Sequence, residues 1–212
     1  MSAVNYFLEL KCAGDVLNSI YPFLNPEKEI TESMAIIKKL KKTMITNPNK
    51  YTIFDFCAGN CLTSSLIAHL FKPKYVFAID KEERDRPNFN KIKNFNYLKK
   101  DFVEEKNSII DFIKLNNPSI IVSVHPCSEL AQTIIDIYNK TKADYLFLMP
   151  CCEGKTIFEY PTFLRNKLST YELWCLDLCN LSKGNASVDH QCRSNKNIII
   201  ATSKWKEISE WN

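Results

Sequence analysis

Glycine is scarce in this chain, with four residues in 212. That scarcity argues against the paired-glycine phosphate loops of dinucleotide enzymes, and it singles out Gly59, which stands between an apolar run and a helix. Long hydrophobic runs are also missing, and none approaches the roughly 18 residues needed to cross a membrane. The first residues, "MSAVNYFLELKCAGDV", lack a basic segment followed by a continuous apolar one, so no secretory leader is expected. A strong charge of one sign is absent too. The net charge of +4 permits an anionic partner such as nucleic acid but falls short of a polybasic signature. No repeat or low-complexity tract occurs.

Cysteine, by contrast, is plentiful. The nine residues form an odd set that includes the adjacent Cys151 and Cys152, which fits a reduced cytoplasmic protein better than a disulfide framework. Hydrophobic residues at 45% and aromatics at 12% suffice for a packed core. The length suits one domain with a modest appendage.

Residues 1–50 read as a helical cap, with apolar residues at helical spacing in "NYFLELKCAGDVLNSIYPFL" and in "ITESMAIIKKLKKTM". Thr31 is the expected N-cap, and "NPEKE" and "TNPNK" are expected turns. From residue 51 to 212 short apolar runs alternate with amphipathic stretches. Strands are expected at "YTIFDF", "YVFAID", "FNYLKKDF", "SIIVSVHP", "DYLFLMP", "YELWCLDL" and "NIIIATSKW". Helices are expected at "LTSSLIAHLF", "EEKNSIIDFIKLN", "SELAQTIIDIYNKT" and "YPTFLRNKLST". Uninterrupted apolar strands imply a sheet covered on both faces, and strand–helix alternation implies a parallel, doubly wound α/β sheet. The last two strands have no helix between them, so an antiparallel end is expected.

In such sheets ligands bind beyond the carboxyl ends of the strands. The first strand ends at Asp55, and "FCAGNC" turns into a helix starting near Leu62. Small residues there let backbone approach a ligand, and Gly59 can take a positive φ. Asp80 ends the second strand, where a carboxylate can accept hydrogen bonds from ribose hydroxyls. Asp101 falls at the end of the third, next to Phe102, where both could meet an adenine ring. An unliganded strand–turn–helix is the plain alternative for each of these positions taken singly.

The series "DFCAGN", "AIDK", "KKDF" and "VSVHPCSELA" resembles the motif series of class I S-adenosylmethionine-dependent methyltransferases. The resemblance implies a Rossmann-like domain with a seven-stranded, mostly parallel sheet whose last strand is antiparallel. It implies S-adenosylmethionine as cofactor, contacted by Asp55, Cys57, Ala58, Gly59, Asn60, Asp80, Lys81, Asp101, Phe102 and His125. The family's Asp-x-Gly-x-Gly-x-Gly loop maps onto Asp55, Cys57, Gly59 and Cys61, so two of its three glycines are cysteines here. The fourth and fifth strands run into "HPCS" and "PCCE". These resemble a subgroup with His-x-Cys-Gly and Cys-Cys motifs that includes tRNA 2′-O-methyltransferases and other methyltransferase-like proteins. Ser128 stands where that subgroup has glycine, and no separate Cys/His finger is present.

Neighbouring parallel strands bring His125, Cys127, Cys151 and Cys152 to one sheet edge, and three readings of this cluster stand. His125 could be a general base, as an imidazole titrating near neutrality suits. The cysteines with His125, and even His190 and Cys192, could bind zinc, although His-x-Cys and Cys-Cys lack the usual spacing; no metal is expected. Or the cysteines, Cys57, Cys61 and Cys152 above all, are small buried residues at tight strand ends. His125 is the expected catalytic residue, and Pro126, Cys127, Pro150 and Cys151 the expected acceptor pocket.

The acceptor is less legible, because methyl transfer depends chiefly on in-line positioning. RNA is the favoured acceptor, and a small molecule or a protein is the alternative. The Asn/Asp-Pro-Pro-aromatic motif of base and glutamine N-methyltransferases is absent. Lys38, Lys39, Lys41 and Lys42 could meet phosphates, or simply form the solvated face of a helix packed through Ile36, Ile37, Leu40 and Met44. The "KEERDR" run reads as solvated surface, and Phe158, Tyr160 and Phe163 as pocket lining or helix packing. A catalytically silent binding subunit and an unrelated nucleotide-using enzyme are the rival functions.

Overall fold

The computed structural model of the chain describes residues 1–22, 25–83 and 89–204. Seven strands form one sheet: β1 (Thr52–Phe56), β2 (Tyr75–Asp80), β3 (Phe95–Lys99), β4 (Ser119–Val124), β5 (Tyr145–Met149), β6 (Asn185–Val188) and β7 (Ile198–Ser203). Their order is β3-β2-β1-β4-β5-β7-β6. The first five strands pair in parallel, and β7 runs antiparallel to both of its neighbours. Order therefore reverses direction between β1 and β4, and a crevice opens beyond their carboxyl ends at that switch point.

Side-chain alternation along the strands divides the core into two layers. On one face Ile53, Val76, Ile120, Val122 and Phe147 pack with α1 (Ala3–Leu8), α2 (Ala13–Ile20), α3 (Pro26–Met44) and α4 (Leu62–Phe71). On the other, Phe54, Phe56, Ile121, Leu146 and Leu148 pack with α5 (Lys106–Leu115), α6 (Glu129–Lys140) and α8 (Thr170–Ser182). A short α7 (Thr162–Arg165) precedes α8. The residues before β1 thus share a continuous apolar layer with the sheet, and α3 is buried without a break from Ile30 to Ile37.

Six expectations need correction. The first helical stretch is broken at residues 9–12 into α1 and α2, and its Phe23 and Leu24 lie outside the described residues. Helix α3 starts at Pro26, so "NPEKE" is its first turn. Proline suits that position because no intrahelical partner awaits its missing N–H, and Glu27 and Glu29 complement the amino-terminal dipole. Thr31 is consequently inside the helix, its hydroxyl donating to the Lys28 carbonyl at 2.8 Å.

The segment "YELWCLDL" is helix, not strand. Ser169 and Glu172 form a reciprocal capping box that starts α8, and Trp174 and Leu178 lie one helical turn apart in the core. The helix expected at "YPTFLRNKLST" shrinks to the four residues of α7. The strand that pairs with β7 is β6, inside the stretch expected to be loop. Of "KEERDR", residues 84–86 lie outside the described residues, as does Trp205 at the end of the last expected strand.

Candidate active site

The turn after β1 holds three alternate residues in the left-handed region: Cys57 at φ 55°, Gly59 at 53° and Cys61 at 65°. These are the positions of the glycine loop, so its backbone path persists with cysteine side chains on it. Each L-residue held there costs about 1–2 kcal/mol. The turn is fastened by Ala58 N–H donating to the Ile79 carbonyl at 3.2 Å and Cys61 N–H to the Ala58 carbonyl at 2.7 Å. Asn60 accepts from the Leu62 N–H at 3.0 Å and donates to Glu29 of α3. Burial pushes the Cys57 thiol up to about 12, with the Asp80 and Asp55 charges adding to the effect.

A cleft of about 500 Å³ opens over this turn. Asp55, Cys57, Ala58, Gly59, Asn60 and His125 line its sheet side, and Lys28, Glu29, Glu32 and Ser33 of α3 line the other. Asp55 is fully buried and accepts a hydrogen bond from Ser64; burial pushes its carboxyl up to about 7, with the Asp80 charge adding and Ser64 opposing. Glu29 is also raised by burial. Acidic groups outnumber the single lysine in this lining, which favours a cationic ligand over a phosphate.

Asp80 borders the cleft without lining it: its carboxylate accepts from the Gly59 N–H at 2.8 Å and the Glu82 N–H at 3.1 Å. Lys81 is exposed beside it. Asp101 caps the turn after β3 by accepting from the Val103 N–H at 2.9 Å and the Glu104 N–H at 3.4 Å. Phe102 is buried with its ring 5.0 Å from that of Phe56. Lys81, Asp101 and Phe102 do not line the cleft.

His125 follows β4 at φ 65°, its N–H donating to the Met149 carbonyl at 2.9 Å. Its Nε2 lies 2.5 Å from Oε2 of Glu32, which is fully buried. With Glu32 ionised, the tautomer that satisfies this contact carries its proton on Nε2 and its lone pair on Nδ1. The other Glu32 oxygen, Oε1, is buried with no hydrogen-bond partner among the described residues. Glu32 escaped the sequence reading, although a signal was there: it falls one helical turn before Ile36, a carboxylate on the face that packs. Ser33 joins the same helix to α4 through the Thr63 hydroxyl at 2.9 Å.

Beyond His125 the two strand ends converge. Cys127 Sγ lies 3.2 Å from Cys151 Sγ, Cys151 Sγ 3.4 Å from Cys152 Sγ, and Cys152 Sγ 3.7 Å from Cys127 Sγ. Cys127 and Cys152 are exposed, whereas Cys61 is fully buried, so the small-buried-residue account holds for Cys61 and fails for Cys152. Pro126 and Pro150, next in sequence to Cys127 and Cys151, are buried, and the Pro150 carbonyl accepts the Tyr171 hydroxyl at 3.0 Å. His190 is exposed and Cys192 packs against α3, its thiol 3.8 Å from the Thr31 carbonyl; neither joins the thiol group.

The segment following Cys152 is tied down by Asp177 of α8, a second residue the sequence reading missed. Its carboxylate accepts from the Ile157 N–H at 2.8 Å, the Phe158 N–H at 3.3 Å and the Tyr160 hydroxyl at 2.7 Å. The side chains of Phe158 and Phe163 are exposed, which removes helix packing as their explanation. On α3, Ile36, Ile37, Leu40 and Met44 are buried as expected, and Lys38 pairs with Asp189 at 3.6 Å.

This strand order, with one antiparallel strand and a left-handed turn after β1, is that of the class I methyltransferases. A protein-family model described as "Methyltransferase domain" matches residues 27–156, more than half of the chain, and the chain belongs to that family. It is a methyltransferase of the S-adenosylmethionine-dependent kind. No curated protein matches the sequence. Among solved structures, the antibiotic-resistance methyltransferase Kmr is similar at 11% identity and a TM-score of 0.45, over 78% of this chain and 92% of that one. A cyclopropane-fatty-acyl-phospholipid synthase-like protein from Lactobacillus casei ATCC 334 is similar at 9% identity and a TM-score of 0.45, over 88% of this chain and 78% of that one. No helix among the described residues is long and apolar enough to cross a membrane.

Proposed function

We propose that this methyltransferase modifies RNA, at a hydroxyl in preference to an exocyclic base nitrogen, with His125 as general base held by Glu32. The His125–Glu32 pair carries the reading. A hydroxyl must lose its proton as the methyl group arrives, and an imidazole with one nitrogen fixed by a buried carboxylate offers the other as acceptor. The +4 net charge and the resemblance to 2′-O-methyltransferases support RNA, and the missing Asn/Asp-Pro-Pro-aromatic motif weighs against an exocyclic base nitrogen.

The cleft suits S-adenosylmethionine on its own chemistry. Its volume is in the usual range for such ligands, its carboxylates suit a molecule with ammonium and sulfonium charges and no phosphate, and Glu32 Oε1 is a buried acceptor awaiting a donor. When bound, the cofactor supplies an electrophilic methyl group on sulfur. Asp55, the Cys57–Ala58–Gly59–Asn60 turn and Glu32 hold the methionine end. The adenosine is assigned to Asp80, Lys81, Asp101 and Phe102 by the family resemblance; they stand at the ends of β2 and β3, outside the lining of the cleft. Pro126, Cys127, Pro150 and Cys151 border the acceptor.

Labelled methyl donor offered to total RNA, protein extract and metabolites tests the reading. Label in RNA that survives as 2′-O-methyl nucleosides after digestion is expected, as is a His125→Ala enzyme that still binds cofactor but turns over about 10²–10⁴-fold more slowly. Label only in protein or metabolites overturns the RNA acceptor. Unchanged turnover in His125→Ala removes the base, and a folded protein that labels nothing is a silent binding subunit.

A further inference from the structure

We infer that Cys127, Cys151 and Cys152 form a three-thiolate site for a soft divalent cation of the zinc class, with a fourth coordination position open to solvent. The inference concerns metal binding; it shares Cys127 and Cys151 with the proposed acceptor pocket but does not rest on the acceptor or base assignments. Free cysteine is ordinarily a buried residue, yet two of these three are exposed while their sulfur atoms touch one another. Filling a core therefore does not explain them.

Their spacing does match a metal. Tetrahedral zinc–thiolate bonds of about 2.3 Å set sulfur atoms about 3.8 Å apart. The observed edges of 3.2, 3.4 and 3.7 Å form a closed triangle slightly tighter than that, which a bound ion would spread. Among the described residues these are the one group of three or more potential ligands whose donor atoms lie this close, all within 4.8 Å.

The triangle is also held in place. Cys127 sits between two left-handed residues, His125 and Ser128, and Ser128 donates to the Glu153 carbonyl at 3.1 Å, tying one thiol-bearing turn to the other. Gly154 follows directly, so close to Trp174 that a Cβ would meet the indole at 2.6 Å, and Asp177 fastens the segment beyond. Both Cys127 and Cys151 point at the His125 carbonyl, at 3.8 and 3.5 Å. Binding replaces three S–H bonds with three metal–sulfur bonds and releases three protons, so affinity falls as pH falls. Three protein ligands leave one position for water or an electron-rich acceptor atom, as open zinc sites do.

Cobalt(II) titration of the reduced full chain, followed by displacement with zinc, is the test. One equivalent is expected, with thiolate-to-cobalt charge-transfer absorption and tetrahedral visible bands. The signal should be retained in Cys12→Ser and Cys192→Ser and lost in Cys151→Ser and in the triple Cys127/Cys151/Cys152→Ser variant. Absence of the charge-transfer band in the folded unsubstituted chain, or its persistence in the triple variant, overturns the site. The readout needs neither cofactor nor acceptor, so it is independent of whether RNA is methylated.

Discussion

Through the body of the sheet, Ile53, Ile120, Ile121, Val122, Leu146 and Leu148 are fully buried in extended backbone, and each does what its residue type favours. At the carboxyl rim, a few residues along the same strands, the residues run against type. Seven non-glycine residues among those described adopt a positive φ, and four of them, Cys57, Cys61, His125 and Ser128, are at this rim. Of the other three, Lys72 and Lys183 are helix C-caps and Asn94 is of a type that tolerates the region. The rim also holds a buried carboxyl raised to about 7, a buried carboxylate oxygen with no partner among the described residues, and three touching thiols. The body thus holds residues in conformations that suit their type, and the rim holds strained ones, as is common where backbone conformation is kept for function.

The sharpest way to break this contrast is to truncate the body. Phe147→Ala removes a fully buried side chain and should lower unfolding free energy by about 3–5 kcal/mol in denaturant melts. A loss no greater than that of rim substitutions would erase the distinction.

Asp55 comes next. Its folded carboxyl titrates near 7 against an ordinary 3.8, so the folded state binds the extra proton between those values. Its contribution is fully present below about pH 4, is lost as pH rises to about 7, and is flat above; the span is about 4 kcal/mol. Subtracting the melts of Asp55→Asn from those of the unsubstituted chain over pH 4–8 should expose that slope. Parallel curves would mean that Asp55 is ionised throughout.

Gly154→Ala should cost about 1–3 kcal/mol, because the new methyl group meets a buried indole. It should also speed alkylation of Cys151 and Cys152 by loosening the segment that carries them. The smallest effect belongs to Cys57→Gly. Relief of left-handed strain, offset by the entropy of the unfolded glycine, should leave it unchanged or up to about 1 kcal/mol more stable. Clear destabilisation would show that the Cys57 side chain contributes more than its backbone costs.

The parts of this architecture written in strong local patterns were legible. Strands β1, β2, β4 and β5 appear as apolar runs between turns, β3 as a fainter one, and α4, α5 and α6 as amphipathic stretches in the expected alternation. The left-handed turn was located from a single glycine because glycine is so rare elsewhere. The amino end of α8 was misread because "YELWCLDL" is dense in apolar residues on every side of a buried helix, where period carries little information; the Ser169–Glu172 capping box was the better guide. Strand β6, "NASV", has no apolar signature because it is a mostly exposed edge. Glu32 and Asp177 act across long sequence separations, on His125 and on the segment after Cys152. Nothing local marks such partners except a carboxylate on a helix face that packs.

Calorimetric titration of S-adenosylmethionine into the folded chain, alongside Glu32→Gln, tests most directly whether α3 and the turn after β1 together form the cofactor cleft. Saturable one-to-one binding to the unsubstituted chain, weakened on the order of tenfold or more by Glu32→Gln through loss of one charged hydrogen bond, is the predicted result. Equal affinity in both proteins would remove α3 from the site, and no binding to a chain shown to be folded would contradict the account at its root.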